Sequence, residues 1–245
     1  GGGVGVVHGW QGLERNQDDG EINVTQDRCD RGGGGVGKHI DEEQVQVRGV
    51  VVALVRKFSF TGSTGIGRRL VEQSAQSLLR LSMELGGNAP FLVFADADLD
   101  AAVEGAVQAK MRNIGEACTA ANRFLVADEV ADEFSSRLAS RLASMTVGRG
   151  TDDGVQVGPV ISEKARSEIL ELVADATDRG ARVLAGGSAL PGPGFFVAPP
   201  VLADVLADAR VGSEEIFGPV PPVTRTAKSG RAAGRERGSV TGVAV

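Results

Sequence analysis

Residues 57–85 read KFSFTGSTGIGRRLVEQSAQSLLRLSMEL. "KFSF" alternates phenylalanine with polar residues, as a half-buried strand does. "RRLVEQSAQSLL" has helical character, and "RLSMEL" alternates again. Between the first strand and the helix lies "TGSTGIG", a turn in which Gly62, Ser63 and Thr64 follow a strand and open a helix. Strand, helix and strand in this order define an α/β unit.

The same alternation continues downstream. "APFLVF" reads as a buried strand. "DADLDAAVEGAVQAKMRN" reads as a helix, with Asp96 or Asp98 as its cap and Leu99, Val103, Val107 and Met111 repeating every fourth position. "RFLVA" is a further strand. In "DEVADEFSSRLASRLASM" the residues Val130, Phe134, Leu138, Leu142 and Met145 fall on one helical face. "SEKARSEILELVADATDRGA" is a helix capped by Ser162 and stopped at Gly180. "RVLAGG" and "FFVAPPVL" are strand-like, and the prolines point to an edge. The expected fold class is therefore α/β over residues 58–201.

The two ends differ in character. Residues 1–57 contain "GGGVGVVHGW" and "DRGGGGVGKHI", both histidines (His8, His39) and the single tryptophan, Trp10, with no sustained period of 2 or 3.6. The tail from Thr226, "TAKSGRAAGRERGSVTGVAV", is basic, rich in Gly and Ser, and aperiodic. Both ends are expected to lack regular structure.

The composition has 42% hydrophobic residues, enough for a core, and a formal net charge of −6. That charge argues against a nucleic-acid partner. No apolar run reaches ~18 residues, so no membrane-spanning helix is expected. Two cysteines, Cys29 and Cys118, do not make a disulfide framework, and a reducing, cytoplasmic setting is the default. The chain begins at Gly1 without an initiator methionine, which suggests a fragment or a processed product.

Cys118 lies in "GEACTAANR", residues 115–123, among small neighbours. A thiol with an ordinary pKa near ~8.5 needs a neighbour to become a nucleophile. Histidine is the usual helper, but residues 58–225 contain none. A Cys–His hydrolase would need His8 or His39 and is a distant alternative. Carboxylates remain. "MELGGNAP" sets Glu84 at a strand end before two glycines and a proline, which lets backbone approach a ligand and aims the acid into a cleft. The "FTGSTGIG" turn offers free amides and a hydroxyl that suit a phosphate, although plain turns look alike. In "EEIFGPV", residues 214–220, an acid and an aromatic precede Gly-Pro; this is a ligand-contacting loop or only a capped turn.

Taken together, in this order and at this spacing, these stretches resemble the aldehyde dehydrogenase superfamily over residues 56–225. "MELGGNAP" resembles its glutamate signature, "GEACTAANR" its cysteine signature, "FTGSTGIGR" its phosphate-contacting turn and "SEEIFGPV" its cofactor-ribose motif. The resemblance implies the end of a doubly wound dinucleotide-binding sheet (56–85), followed by part of an α/β catalytic domain (86–225), with 1–55 and 226–245 unmatched. It implies Cys118 as the nucleophile that forms a thiohemiacetal and then a thioester, and Glu84 as the base that activates the hydrolytic water. It implies NAD or NADP as cofactor: Gly62 and Ser63 at the pyrophosphate, Leu85 at the carboxamide, Glu215 at the nicotinamide ribose, and Phe217 beside the ring. The backbone N–H of Cys118 would supply half of an oxyanion hole.

"KMRNIGEACTAANRFLV" and "GGNAPFLVFADADLDAAVEGA" are most similar to the succinate-semialdehyde dehydrogenase branch. There, Arg112 would bind the distal carboxylate of the substrate; the competing reading is an arginine that caps its own helix. Ala120 stands where some relatives carry a second, redox-active cysteine. Glu116 and Met111 replace a commoner glutamine and aromatic.

The family's chain is about twice as long. Residues 1–55 do not resemble its nucleotide-binding half, and the resemblance stops after Arg225, short of the strand through which the family forms homo-oligomers. The ends read as out-of-frame translation or a decayed gene. The expected partner is a small aldehyde, with no membrane or nucleic acid. The expected activity is oxidation of succinate semialdehyde, without turnover in the chain as it stands. The alternative is an inactive remnant or a cofactor-binding fragment.

Overall fold

The computed structural model describes residues 56–227, together with the backbone of Leu13–Arg15 and Glu21–Thr25. Contacts divide the chain into two units, Gly1–Gly87 and Asn88–Val245.

In the first unit, β3 (Lys57–Gly62) and β4 (Arg80–Leu85) pair in parallel, joined by α1 (Thr64–Ala75). The alternation in "KFSF" has its physical counterpart: Phe58 and Phe60 are buried, against Ile66 and Leu70 of α1. Leu81, Met83 and Leu85 of β4 pack on the same cluster, which leaves Glu84 on the other face of its strand. The helix begins inside the glycine-rich turn, at Thr64, because Ser63 caps it. It also ends earlier than "RRLVEQSAQSLL" suggests, and Leu78 is exposed with a positive φ of 49°.

Two strands precede this unit's core. β1 (Leu13–Arg15) is antiparallel to β2 (Glu21–Thr25), and β2 lies parallel to β3, for a sheet order β1-β2-β3-β4. The expectation of no regular structure in 1–55 therefore fails at these eight positions. Backbone pairing to the free edge of β3 needs no side-chain periodicity, so the composition of the segment hid it. At the other end Thr226, also expected to lack regular structure, is the last strand residue of Val223–Thr226, because it pairs with Ala127; the rest of 1–55, and the tail after Ala227, lie outside the described residues.

The second unit is built on a parallel three-stranded sheet, β5-β6-β9, of β5 (Ala89–Val93), β6 (Ala121–Ala127) and β9 (Val223–Thr226). Helices α2 (Leu99–Met111) and α3 (Ala131–Ala143) bury Val103, Val107, Phe134, Leu138 and Leu142 with Phe91, Phe124 and Val126 of the sheet. Leu99, Met111, Val130 and Met145, at the ends of the expected stripes, are only partly buried. Asp98 caps α2 by accepting from the amides of Asp100 and Ala101 at 3.0 and 3.1 Å. Ser162 caps α4 (Glu163–Asp178), and Gly180, at φ 101°, follows its end.

A second core joins Ile169, Leu172, Val173 and Ala176 of α4 to Val205, Val211, Ile216 and Val220. "RVLAGG" supplies β7 (Arg182–Ala185), which pairs antiparallel with β8 (Val201–Ala203). Of "FFVAPPVL" only the end is strand, since Pro199 and Pro200 lack the N–H a ladder needs. β9, in "PPVTRT", is too short to show a period; its pairing with a strand a hundred residues earlier creates it.

Candidate active site

In the first unit, the amide of Gly86 donates to the Gly62 carbonyl at 3.3 Å, and the Thr64 hydroxyl donates to the Gly86 carbonyl at 3.2 Å. The exit of β4 is thereby laced to the start of α1. Ser63 Oγ accepts from the Ile66 amide at 3.5 Å, and the Ser63 carbonyl accepts the first intrahelical bond, from Gly67. Thr64 and Gly65 are exposed, and position denies their amides an intrahelical acceptor. Such a helix end suits an anion. A Cβ on Gly67 would come 2.6 Å from Leu85 Cδ2, so a glycine is what lets Leu85 lie over α1. Gly62, Ser63, Glu84 and Leu85 thus cluster at one end of β3 and β4, with Glu84 exposed.

In the second unit, α2 stops abruptly. Arg112 leaves the helix at ψ 124°, and Asn113, Ile114 and Gly115 follow at φ 50°, 51° and 80°. Three successive left-handed residues reverse the chain and set up the loop of Cys118. Gly115 is obligatory, because a Cβ there would collide with the carbonyl oxygen of Gly218. The loop is tied down on both sides. Asn113 Nδ2 donates to the Glu116 carbonyl at 2.8 Å, and the Ile161 amide donates to Glu116 Oε1 at 3.1 Å. Glu116, the unusual residue of its motif, is therefore a loop anchor. Ala120 and Ala121 are buried, whereas Cys118 is exposed and free. The thiol is presented rather than packed.

Beside the loop lies a cleft of about 360 Å³, whose walls include Phe91, Gly105, Gln108, Arg112, Ala117 and Thr119. Arg112 is exposed at its edge. The 214–220 loop is anchored by buried Ile216 and by Gly218, where a Cβ would strike Ile169. On either side of Ile216, Glu215 and Phe217 are half-buried. Phe217 holds φ 46°, a conformation that costs an aromatic residue on the order of 1 kcal/mol and that clusters at ligand sites. Glu214 pairs instead with Arg210, and that hydrogen bond holds its carboxyl below the usual range.

Sequence reasoning missed Lys110. It is 1% exposed, and its Nζ donates to Asn122 Oδ1 at 2.7 Å. Burial lowers its pKa to about 7, with the charge of Glu215 opposing the shift. The signal was present: Val103, Ala106, Val107 and Lys110 occupy i, i+3, i+4 and i+7 of one stripe. A lysine on that stripe goes inside with the rest. Among the described residues, no group of three or more His, Cys, Asp or Glu could hold a metal ion. No described helix is long and apolar enough to cross a membrane.

This α/β architecture has known counterparts. The model of the aldehyde dehydrogenase family matches residues 42–234, and the chain belongs to that family. The match is wider at both ends than 56–225. The succinate-semialdehyde dehydrogenase of Paenarthrobacter nicotinovorans is 55% identical over 170 residues, 69% of this chain and 38% of that protein. The succinate-semialdehyde dehydrogenase [NADP(+)] GabD of Escherichia coli is 52% identical over 172 residues, 70% and 36% respectively. A crystal structure of an E. coli NADP-dependent enzyme superposes with a TM-score of 0.73 at 49% identity, covering 75% of this chain and 38% of that one. The chain thus spans under two-fifths of the length of these relatives. Its fold is a portion of the aldehyde dehydrogenase fold, as the four motifs implied.

Proposed function

We propose that this chain carries the cysteine half of an NAD(P)-dependent aldehyde oxidation, with succinate semialdehyde as the substrate and a cytoplasmic setting. The observation that supports it most directly is Cys118, exposed on a loop built from three left-handed residues beside the Arg112 cleft. On this reading residues 56–85 contribute the end of the dinucleotide-binding domain and 86–225 part of the catalytic domain.

The Cys118 thiolate attacks the aldehyde carbon. A C–S bond forms and the carbonyl π pair moves to oxygen, where the Cys118 backbone N–H donates to the oxyanion. Arg112 holds the distal carboxylate at the mouth of the cleft, which fixes the carbonyl over the sulfur. On this reading the Gly62–Ser63 turn, with its exposed helix amides, would hold the pyrophosphate and Leu85 the carboxamide in the first unit, and Glu215 would hold the ribose hydroxyls and Phe217 the ring in the second. A bound cofactor would supply the acceptor for the hydride on the thiohemiacetal carbon, and with that hydride gone the C=O bond re-forms and Cys118 carries a thioester. Glu84 then takes a proton from water, the hydroxyl oxygen adds to the thioester carbon, and the C–S bond breaks to release acid and thiolate.

The first step needs no cofactor, so it can be tested on the 245-residue chain. Succinate semialdehyde should slow alkylation of Cys118 by iodoacetamide, read by peptide mass spectrometry. Butyraldehyde, which lacks the carboxylate, should do so about tenfold less well, and Arg112→Ala should erase the difference. Equal protection by both aldehydes would remove the succinate assignment. No protection by either would remove Cys118 as nucleophile. Aldehyde-dependent NAD(P)H formation separates a complete enzyme from a binding fragment.

A further inference from the structure

The head of Lys110 meets Asn122 directly and feels the charge of Glu215 from a third segment. The lysine itself lies in the last turn of α2, where a cation is favoured by the helix dipole. Asn122, 1% exposed at the start of β6, accepts its hydrogen bond and stands four residues beyond Cys118. Glu215, in the 214–220 loop, acts on it by charge, and Glu215 Oε1 is itself buried. The backbones of the same segments meet at Gly115. A Cβ on Gly115 would lie 3.1 Å from the Lys110 carbonyl oxygen and would overlap that of Gly218.

A lysine buried to 1% is costly, since its ammonium loses its hydration. An apolar residue would complete the α2 stripe at no such cost. The position instead carries a cation whose one hydrogen bond among the described residues goes to the strand leaving the Cys118 loop, and whose charge partner sits on the other loop. We propose that Lys110 is a positioning residue: it ties the Cys118 loop, through Asn122, to the Glu215 loop, through charge, and so sets the two against each other. Buried to 1% exposure, it acts through other residues. The value of this arrangement for chemistry rests on the reading of Cys118 and Glu215 as site residues; the arrangement itself does not.

Hydrogen exchange of the 245-residue chain, read loop by loop, tests it. Lys110→Met keeps the apolar stem and removes the head. It should lower protection about tenfold in both 112–120 and 214–220, while amides of α3 (Phe134–Leu142), which packs on the α2 stripe in the other core, change by less than about twofold. Glu215→Gln, a change in one loop, should lower protection of the other loop, 112–120, about threefold. The double variant should be no looser at 112–120 than Lys110→Met alone, because the charge link is already gone. Equal loosening across α3 and both loops would make Lys110 an ordinary core residue of the α2 stripe and overturn the proposal. So would additive effects in the double variant. If Lys110→Met does not fold, unchanged protection of 112–120 in Glu215→Gln overturns it alone. None of these readouts requires catalysis, so failure of aldehyde protection at Cys118 would leave them informative.

Discussion

The turn at Gly62–Ser63 and the turn at Asn113–Gly115 both present residues of the proposed site, yet they are made in opposite ways. The first is local. A strand ends, a serine caps a helix, and a hydrophobic pair four residues apart seats that helix on its strand. The second is imposed from a distance. Its left-handed backbone holds because Gly115 fits against Gly218, a residue a hundred positions later. Local turns tolerate change in proportion to one hydrogen bond. Imposed turns fail together with their partner.

The largest effect that would test this contrast is at Gly115. Gly115→Ala adds a Cβ at φ 80° against the Gly218 carbonyl. It should cost roughly 3–4 kcal/mol in urea unfolding. A loss below about 1 kcal/mol would mean that the two loops are not in contact.

Next is the pH dependence set by Lys110. Its pKa is about 7 when folded, against 10.5 as the ordinary value. Because the folded value is depressed, the unfolded chain binds the extra proton between them, so stability rises with pH over that window. The cost is full below about pH 7 and gone above about 10.5. Relative to Lys110→Met, the native chain should gain about 1.4 kcal/mol per pH unit between about pH 7.5 and about pH 9.5. No tyrosine is present to titrate there. Parallel stability curves for the two proteins would show the lysine to be solvated.

The smallest effects belong to the local turns. Asp98→Ala removes two capping bonds at 3.0 and 3.1 Å and should cost about 1 kcal/mol in the same unfolding measurement. Ser63→Ala removes one bond at 3.5 Å and should cost about half as much. A loss at Ser63 as large as that at Gly115 would erase the distinction.

The legibility of the chain follows the same division. The strand–helix–strand unit, the α3 face, the Ser162 cap and the Gly180 stop were all readable, because each rests on neighbours within a turn or two. β9 and β2 were not, since a strand of four or five residues takes its identity from the edge it pairs with. Cys118 could be singled out by its neighbours and by a resemblance of motifs. Its exposure, implied by those small neighbours and that resemblance, is found in the structure, where buried Ala120 and Ala121 hold the loop's far end.

By itself the sequence determined the alternation of strand and helix, the caps, the identity of the nucleophile candidate and the membership of the aldehyde dehydrogenase family. Those are statements about residue type and short spacing, on which local backbone preference and side-chain periodicity act directly. Only the tertiary structure decided that a lysine lies buried with an asparagine and near a glutamate, that Gly115 must be glycine, and that Phe217 sits in a left-handed conformation. Each of these depends on what a segment meets after the chain has come together. The energies involved, the desolvation of a charge and the overlap of two backbones, do not exist until it has.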